Sequence, residues 1–156
     1  MNCRNCDKIL TQTVLDFGFA PLSNAYLHEG ELSKPEIYFP LKIRLCDRCW
    51  LVQTEDYVKI EALFNSGYAY FSSTSKSWLE HAKLYVRKMI YLLELDSNSY
   101  VLEIACNDGY LLKNFVENGI PCMGVEPTQS TALVAEQLGI TVVKDFFDEA
   151  MGARLA

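Results

Sequence analysis

Four of the six cysteines in the 156-residue chain form two C-x-x-C pairs, Cys3/Cys6 and Cys46/Cys49. A C-x-x-C turn can present two thiolates to one ion, and a tetrahedral Zn²⁺ takes four such soft ligands. The long separation departs from a compact zinc ribbon, but the ligand geometry needs only that the two turns meet in space. The alternatives are four reduced cysteines in a core and a redox pair. A redox pair belongs at the start of a helix, whereas Cys46 follows a strand-like run. We predict a structural zinc held by all four thiolates, with no open position for chemistry.

A second stretch with chemical potential is "VLEIACNDGYLL", residues 101–112. It has the pattern of a strand that runs through a tight turn into a helix, where nucleotide-binding folds bring their backbone close to a ligand. Such a turn needs small residues and residues that tolerate a left-handed backbone. The loop residues that meet this requirement are Ala105, Cys106, Asn107, Asp108 and Gly109. One glycine is therefore enough for a cofactor loop here.

An acidic residue supports this interpretation of the loop. The apolar run "CMGVE" ends in Glu126, 17 residues after Gly109. In these folds an acidic residue at the end of the second strand accepts hydrogen bonds from ribose hydroxyls. The alternative is a plain β-α-β unit with a solvent-facing glutamate.

The loop distinguishes between two classes of cofactor. An NAD fingerprint places glycines where a pyrophosphate meets the helix N-terminus, and Asp108 would repel that pyrophosphate. S-adenosylmethionine has no phosphate and has a sulfonium cation, so acidic residues around it are acceptable or stabilising. We therefore predict S-adenosylmethionine rather than NAD.

The hydrophobic pattern indicates which elements position these motifs. Residues 1–60 read as a small β-rich module, because apolar and basic residues alternate over 41–45 and a second apolar run begins at Trp50. Residues 61–98 form a connector with an amphipathic helix over 75–95. The spacing of Ser77 and Glu80 predicts a capping box at the start of this helix.

Residues 99–156 show alternating strand and helix patterns. The predicted strands are 101–105, 122–126 and 140–143, and the predicted helices are 110–118, 129–138 and the last residues of the chain. This β-α-β-α-β order implies a parallel sheet of Rossmann type. Three strands are few for a doubly wound sheet, so the fold class we predict is α/β with a partial Rossmann-like domain.

Composition excludes several classes of protein. Half of the residues are hydrophobic, which is typical of a packed core and not of disorder. The net charge of −6 disfavours a nucleic-acid partner, which usually meets a basic face. The sequence has neither an apolar run of membrane-spanning length nor a signal-peptide pattern at its start. We expect a cytoplasmic protein without membrane or nucleic-acid partners.

Taken in order, these motifs resemble one family, the nucleotide-sugar C-methyltransferases with an N-terminal zinc-binding domain. The resemblance covers the whole chain. Besides the two C-x-x-C pairs, it includes "LDFGFAPLSNAYL", "GYAYFSSTSKSWLEHA", E-I-x-x-N-D-G-x-L-L and "GVEPT". Single pieces are unspecific, but their ordered combination is specific. One departure is Ala105, which stands where most methyltransferases have glycine.

The resemblance implies a zinc module followed by the first half of a class I S-adenosylmethionine-binding domain. Family members methylate a sugar carbon next to a ketone, so the implied partner is a nucleotide-linked keto sugar. A base removes the α proton, and the enolate carbon takes the methyl group. The implied zinc ligands are Cys3, Cys6, Cys46 and Cys49. The implied cofactor-binding residues are Glu103, Ala105, Cys106, Asn107, Asp108, Gly109, Glu126 and Pro127.

The segment "GYAYFSSTS" matches the part of the family that approaches the active site. The resemblance makes Tyr70 a candidate for holding the ketone oxygen or relaying a proton, and it places Tyr68, Ser72 and Ser73 at the substrate. The other reading of the two tyrosines is aromatic packing between domains. His81 reads as a surface or interface residue. The family's histidine base lies beyond residue 156, so the chain corresponds to an N-terminal portion. The alternative function is a non-catalytic zinc-ribbon interaction module, with an NAD-linked oxidoreductase as a minor third option.

Overall fold

The computed structural model describes residues 1–65 and 67–156. It divides the chain into two compact units, Met1–Leu63 and Phe64–Ala156. The first unit contains both C-x-x-C pairs, and the second contains the loop 105–109. Each unit has its own sheet and its own buried cluster.

The first unit is built on an antiparallel sheet. Its strands are β1 (Gln12–Ala20), β2 (Phe39–Leu45) and β3 (Val52–Thr54), in the order β1-β2-β3. A short helix, α1 (Ile60–Leu63), ends the unit. The β-rich prediction is confirmed at β2, where Ile43 pairs with both neighbours, Leu15 and Thr54. The pattern did not indicate β1, because nearly the whole strand is exposed and shows no alternation of burial.

The buried cluster of the first unit consists mainly of sulfur-bearing side chains. Cys3, Leu10 and Cys46 are buried, and Cys6, Cys49 and Leu51 pack against them. A unit of this size gains only marginal stability from hydrophobic packing, and many small domains add a disulfide or a metal.

The second unit is built on a parallel sheet with helices between its strands. Its elements are α2 (Lys76–Leu92), β4 (Val101–Ile104), α3 (Lys113–Glu117), β5 (Cys122–Val125), α4 (Gln129–Gln137), β6 (Thr141–Val143) and α5 (Glu149–Leu155). The strand order is β4-β5-β6, and both pairings are parallel. This confirms the mixed α/β class, and the parallel sheet fits a partial Rossmann-like arrangement.

The start of α2 differs from the prediction. Ser75 is the N-cap, and its hydroxyl accepts a hydrogen bond from the Trp78 N–H at 3.3 Å. Ser77 therefore lies inside the first turn, and the capping box with Glu80 is wrong. A hydroxyl caps a helix only from a residue with extended backbone, and Ser75 has that conformation (φ −100°, ψ 118°).

The core of the second unit lies where α2, α3 and α4 meet the sheet. Its buried members are Val86, Cys106, Leu112, Phe115, Ile120, Ala135 and Ile140. Gly124 in β5 leaves room for one of them, because a Cβ at this position would lie 2.3 Å from the Cys106 Sγ. Among the described residues, no helix is long and apolar enough to cross a membrane.

The contact between Gly124 and Cys106 generates a first prediction. Gly124→Ala should lower the free energy of unfolding of the second unit by about 1–3 kcal/mol, because the added methyl overfills the core. Cys106→Ala in the same chain should recover part of this loss, since it removes the Sγ but leaves a Cβ at 2.9 Å. Urea unfolding followed by Trp78 fluorescence in a Trp50→Phe background measures both effects.

Gly152→Ala is the matched control, because the nearest atom to its added Cβ is at an ordinary 3.5 Å. This variant should be neutral or slightly stabilising, as alanine favours a helix over glycine. Equal losses for Gly124→Ala and Gly152→Ala would contradict the packing argument.

Candidate metal centre and cofactor pocket

The two C-x-x-C turns have the same backbone hydrogen bonding. In each, the first cysteine N–H donates to the carbonyl five residues later and its carbonyl accepts from the N–H four residues later. The bonds are Cys3 to Lys8 (2.8 Å), Asp7 to Cys3 (3.0 Å), Cys46 to Leu51 (3.0 Å) and Trp50 to Cys46 (2.9 Å). Asp7 and Trp50, which follow the second cysteine of each pair, share a left-handed backbone, with φ of 60° and 63°. The sequence therefore builds one ligand-presenting turn twice.

The two turns bring all four thiols to one point. Cys3 Sγ lies 3.5 Å from Cys49 Sγ, and Cys6 Sγ lies 3.5 Å from Cys46 Sγ. All four sulfurs lie within 4.8 Å of one another. Tetrahedral Zn²⁺ with Zn–S bonds of about 2.3 Å separates its sulfurs by about 3.8 Å. The cluster therefore has the dimensions of a four-thiolate zinc site, and none of its cysteines forms a disulfide.

Sequence reasoning missed Gln53, which supports this cluster. It is buried in β3, where its Nε2 donates to Cys3 Sγ at 3.4 Å and its Oε1 accepts from the Arg4 N–H at 3.1 Å. Burial opposes ionisation of Cys3. The hydrogen bonds from Gln53 and from the backbone outweigh it and lower the pKa of Cys3 to about 6. The only sequence signal for this role is a polar residue inside a short strand.

The second unit places the loop at the carboxyl end of β4. Three alternate residues have a left-handed backbone: Ala105 (φ 59°), Asn107 (φ 51°) and Gly109 (φ 77°). A Cβ at Gly109 would lie 2.5 Å from Ile140 Cδ1, so this position needs glycine for both its conformation and its packing. Asp108, which tolerates a left-handed backbone, does not adopt it.

Glu126 lies directly after β5 and is 4% exposed. Its Oε2 accepts from the Asn107 N–H at 3.0 Å, and its Oε1 accepts from the Thr128 N–H at 2.9 Å. The carboxylate therefore connects the loop after β4 to the loop after β5. Each oxygen retains a lone pair for a further donor, so its predicted role at a ribose stays a prediction.

A cavity of about 360 Å³ opens beside these two loops. Of the residues that sequence reasoning proposed, the cavity wall contains Tyr68, Tyr70, Ser72, Ala105, Asn107, Glu126 and Pro127. The structure does not bring the others to this wall: they are Ser73, Glu103, Cys106, Asp108 and Gly109. Cys106 is fully buried in the core, where burial raises the pKa of its thiol to about 12. Its small size matters for packing against Gly124.

Aromatic side chains that sequence reasoning did not single out complete the cavity wall. Phe64, Tyr110, Phe146 and Phe147 line it together with the two predicted tyrosines. The Phe64 ring lies 5.1 Å from that of Tyr68 and 6.4 Å from that of Phe146, between ring centroids. The Phe-Phe pair follows β6, and in parallel sheets ligand sites lie beyond the carboxyl ends of the strands. That position was the signal available in the sequence.

Three acidic side chains, Glu103, Asp108 and Glu126, interact electrostatically near the cavity, and Glu126 lies on its wall. Burial raises the pKa of Glu103 to about 8, and the charges of Asp108 and Glu126 add to this effect. The Glu103 Oε2 is buried and, among the described residues, has no hydrogen-bond partner. Lysine and arginine are absent from the cavity wall that the described residues form. The pocket is thus apolar, aromatic and negative in potential.

Two comparisons with known proteins bear on these sites. Residues 3–64 match a family model described as "Putative zinc binding domain". Over 154 residues, 99% of the chain, the sequence is 29% identical to "C-methyltransferase NovU" of Streptomyces niveus. The matched region is 36% of that protein, so the chain spans about a third of the length of this relative.

The fold and the two sites define a class: a four-cysteine metal module followed in sequence by an α/β unit with a ligand cavity at the carboxyl ends of its strands. The comparisons confirm the resemblance predicted from the motifs. Residues 3–64 are similar to a family described as a putative zinc binding domain, and the chain as a whole is similar to part of a C-methyltransferase.

The raised pKa of Glu103 generates a prediction about pH. From pH 4.5, its ordinary pKa, to about 8, the unfolded chain has lost this proton while the folded chain keeps it. The unfolded state therefore binds fewer protons, and the free energy of unfolding should fall as pH rises through this window. Glu103→Gln removes the titration and should be more stable than the parent by about 1–3 kcal/mol at pH 8.5 and nearly equal at pH 5.

Urea unfolding at the two pH values, followed by Trp78 fluorescence, tests this prediction. The control is Glu117→Gln, which removes an exposed carboxylate at the end of α3. A difference between Glu103→Gln and the parent that does not change with pH would show that Glu103 does not hold this proton.

Proposed function

We propose that the chain supplies the structural zinc module and the S-adenosylmethionine pocket of a C-methyltransferase that acts on a nucleotide-linked keto-deoxy sugar. The observation that carries this proposal is the cavity of about 360 Å³ between the loops after β4 and β5, with the Glu126 carboxylate on its wall. A volume of this size falls within the range of small-molecule sites. The similarity to a C-methyltransferase supports the reaction class.

The chemistry of the cavity fits this cofactor. Apolar and aromatic walls suit an adenine ring, and Glu126 can accept from ribose hydroxyls. Ala105, held at φ 59°, has only a methyl side chain, so a ligand can approach the backbone of the loop closely.

Charge favours S-adenosylmethionine over a phosphate-bearing cofactor. The cavity wall offers no lysine or arginine among the described residues, and the Glu126 carboxylate lies on it with Asp108 nearby, whereas Glu103 keeps its proton up to a pKa of about 8. Such a pocket repels a pyrophosphate and stabilises a cation. Asp108 contributes to this selectivity through its field, since its side chain does not reach the cavity wall. When bound, the cofactor supplies a methyl group on a positively charged sulfur.

The chain's own residues would prepare the sugar for methylation. Tyr68 and Tyr70 line the cavity, and Tyr70 is half exposed. We assign Tyr70 the task of donating a hydrogen bond to the ketone oxygen, which stabilises the negative charge that forms when the α proton leaves. Ser72 lies on the same wall and can hold a sugar hydroxyl. Ser73 follows Ser72 in the chain but does not line the cavity.

The zinc part of the proposal assigns Cys3, Cys6, Cys46 and Cys49 as ligands and gives the metal a structural role. The purified chain should contain one Zn²⁺ per molecule by elemental analysis. Cys46→Ser should lose the metal, because a hydroxyl replaces a soft thiolate in a closed site. Cys122→Ser is the control, since Cys122 lies in the second unit, and it should keep the metal. A chain that takes up neither Zn²⁺ nor Co²⁺ would contradict the assignment.

The cofactor part of the proposal is tested by isothermal titration with S-adenosylhomocysteine. The parent chain should bind it, and Ile104→Trp should weaken binding by at least about 20-fold. Ile104 lines the cavity and is 51% exposed, so a larger ring fills the cavity without disturbing the core. A loss of this size corresponds to about 2 kcal/mol, a typical cost of blocking a pocket contact.

Leu102→Trp is the matched control for this titration. Leu102 lies two residues earlier in β4, on the same exposed face, but it does not line the cavity. The control should bind as the parent does. Absence of binding to the parent chain would overturn the cofactor assignment, and equal weakening in both variants would place the site elsewhere.

A further inference from the structure

The side chains of Asn107 and Asp108 contact the backbone of the segment Tyr70–Ser73. Asn107 Oδ1 accepts from the Ser72 N–H at 2.9 Å, and Asp108 Oδ2 accepts from the Ser73 N–H at 3.0 Å. The Asn107 Nδ2 donates to the Tyr70 carbonyl at 3.1 Å. Three hydrogen bonds thus join two parts of the second unit that lie 35 to 37 residues apart in sequence.

The two ends of these bonds differ in burial. Asn107 is 9% exposed and Asp108 is 1% exposed, so their side chains are fixed within the folded unit. In the segment, Tyr70 and Ser73 are exposed, and Phe71 and Ser72 are only half-buried. Little apolar surface of the segment is therefore buried, and the three hydrogen bonds attach it to the loop.

The same loop residue is also connected to the predicted ribose-binding carboxylate. The Asn107 N–H donates to Glu126 Oε2, and Asn107, Glu126, Tyr70 and Ser72 all line one cavity. A ligand that engages Glu126 therefore acts on the residue that holds Ser72. This continuous set of contacts connects cofactor binding to the position of Tyr70.

We propose that Asn107 and Asp108 are positioning residues that clamp the Tyr70–Ser73 segment onto the cofactor loop, so that cofactor binding orders the wall that receives the second substrate. The first half of this proposal, the clamp, stands on the hydrogen bonds alone. The second half rests on the proposed function. It implies an ordered reaction in which the cofactor binds first and the keto sugar enters a site that is then complete.

The clamp assigns Asn107 and Asp108 a task that differs from direct ligand recognition. Asp108 does not line the cavity, and both oxygen and nitrogen of the Asn107 side chain are already bonded to the segment. Their acceptor and donor groups match three backbone groups. Any residues other than proline would offer these backbone groups at 70–73. The clamp therefore holds the path of the segment, and the side chains on the segment remain free for the substrate.

Hydrogen–deuterium exchange of the Ser72 and Ser73 amides tests the clamp in the cofactor-free chain. Asn107→Gly removes both side-chain bonds but permits φ 51° and keeps the N–H that donates to Glu126. Asp108→Ala removes the bond to Ser73. Each variant should accelerate exchange of its partner amide by about 5- to 30-fold, the factor that one lost hydrogen bond produces.

Two further variants separate a clamp from general destabilisation. Asp108→Asn keeps an acceptor oxygen and should restore slow exchange at Ser73. Asn114→Ala removes another buried asparagine, whose amide nitrogen donates to the Tyr110 and Leu111 carbonyls, and should leave the segment unchanged. Parent-like exchange at Ser72 in Asn107→Gly and at Ser73 in Asp108→Ala, or equal acceleration throughout α2, would overturn the proposal.

A second exchange experiment with saturating S-adenosylhomocysteine tests the coupling. In the parent chain the ligand should slow exchange at Ser72 and Ser73 by a further factor of about 5 or more. A stabilisation of about 1 kcal/mol produces a factor of this size. In Asn107→Gly, with the ligand concentration raised until titration shows saturation, this added protection should disappear. Binding without added protection in the parent would overturn the coupling. Absence of binding would overturn the proposed function and leave the clamp result intact.

Discussion

The buried carboxylate of Glu126 is the interaction on which the second unit's pocket depends. One oxygen holds the Asn107 N–H and the other holds the Thr128 N–H, so the loops after β4 and β5 are fixed by a single side chain. A carboxylate that accepts two backbone N–H groups is a strong acceptor, and losing it would leave two buried donors unpaired. Through Asn107 the same interaction extends to the segment that contains Tyr70. The cavity wall is therefore a consequence of where this one charge is buried.

The first unit depends on a different constraint, the proximity of four sulfurs. Its buried cluster is made of the cysteines themselves together with two leucines, Leu10 and Leu51. Thiols this close repel one another once ionised, and a divalent cation removes that repulsion while it supplies stability that the small apolar core lacks. The left-handed backbone at Trp50 fits this picture, because a bulky residue keeps such a conformation only where surrounding contacts require it.

The prediction from sequence was most accurate where a short sequence motif allowed one local structure. The two C-x-x-C turns and the glycines that follow α3 and α4 are set by local sequence, the alternating order of strand and helix patterns predicted the parallel sheet, and the structure has all of them. It was worst where the choice depended on distant contacts. Both Ser75 and Ser77 can cap a helix, and only the extended backbone at Ser75 decided between them. The hydrophobic pattern did not predict strand β1, because its residues are exposed along almost its whole length.

By itself, the sequence determined the chemistry that each site can perform: which atoms can bind a metal, which loop can approach a ligand, and which sign of charge surrounds it. Those properties depend on residue types and short spacings, so they can be derived without knowledge of the fold. The tertiary structure decided which side chains use that capacity toward a ligand and which use it toward the protein. Asn107, Asp108 and Glu126 have the donors and acceptors expected of ligand-binding residues, yet folding pairs most of them with backbone groups. Burial is the reason, because a polar group removed from water must find a partner, and the nearest partners are set by packing and not by sequence distance.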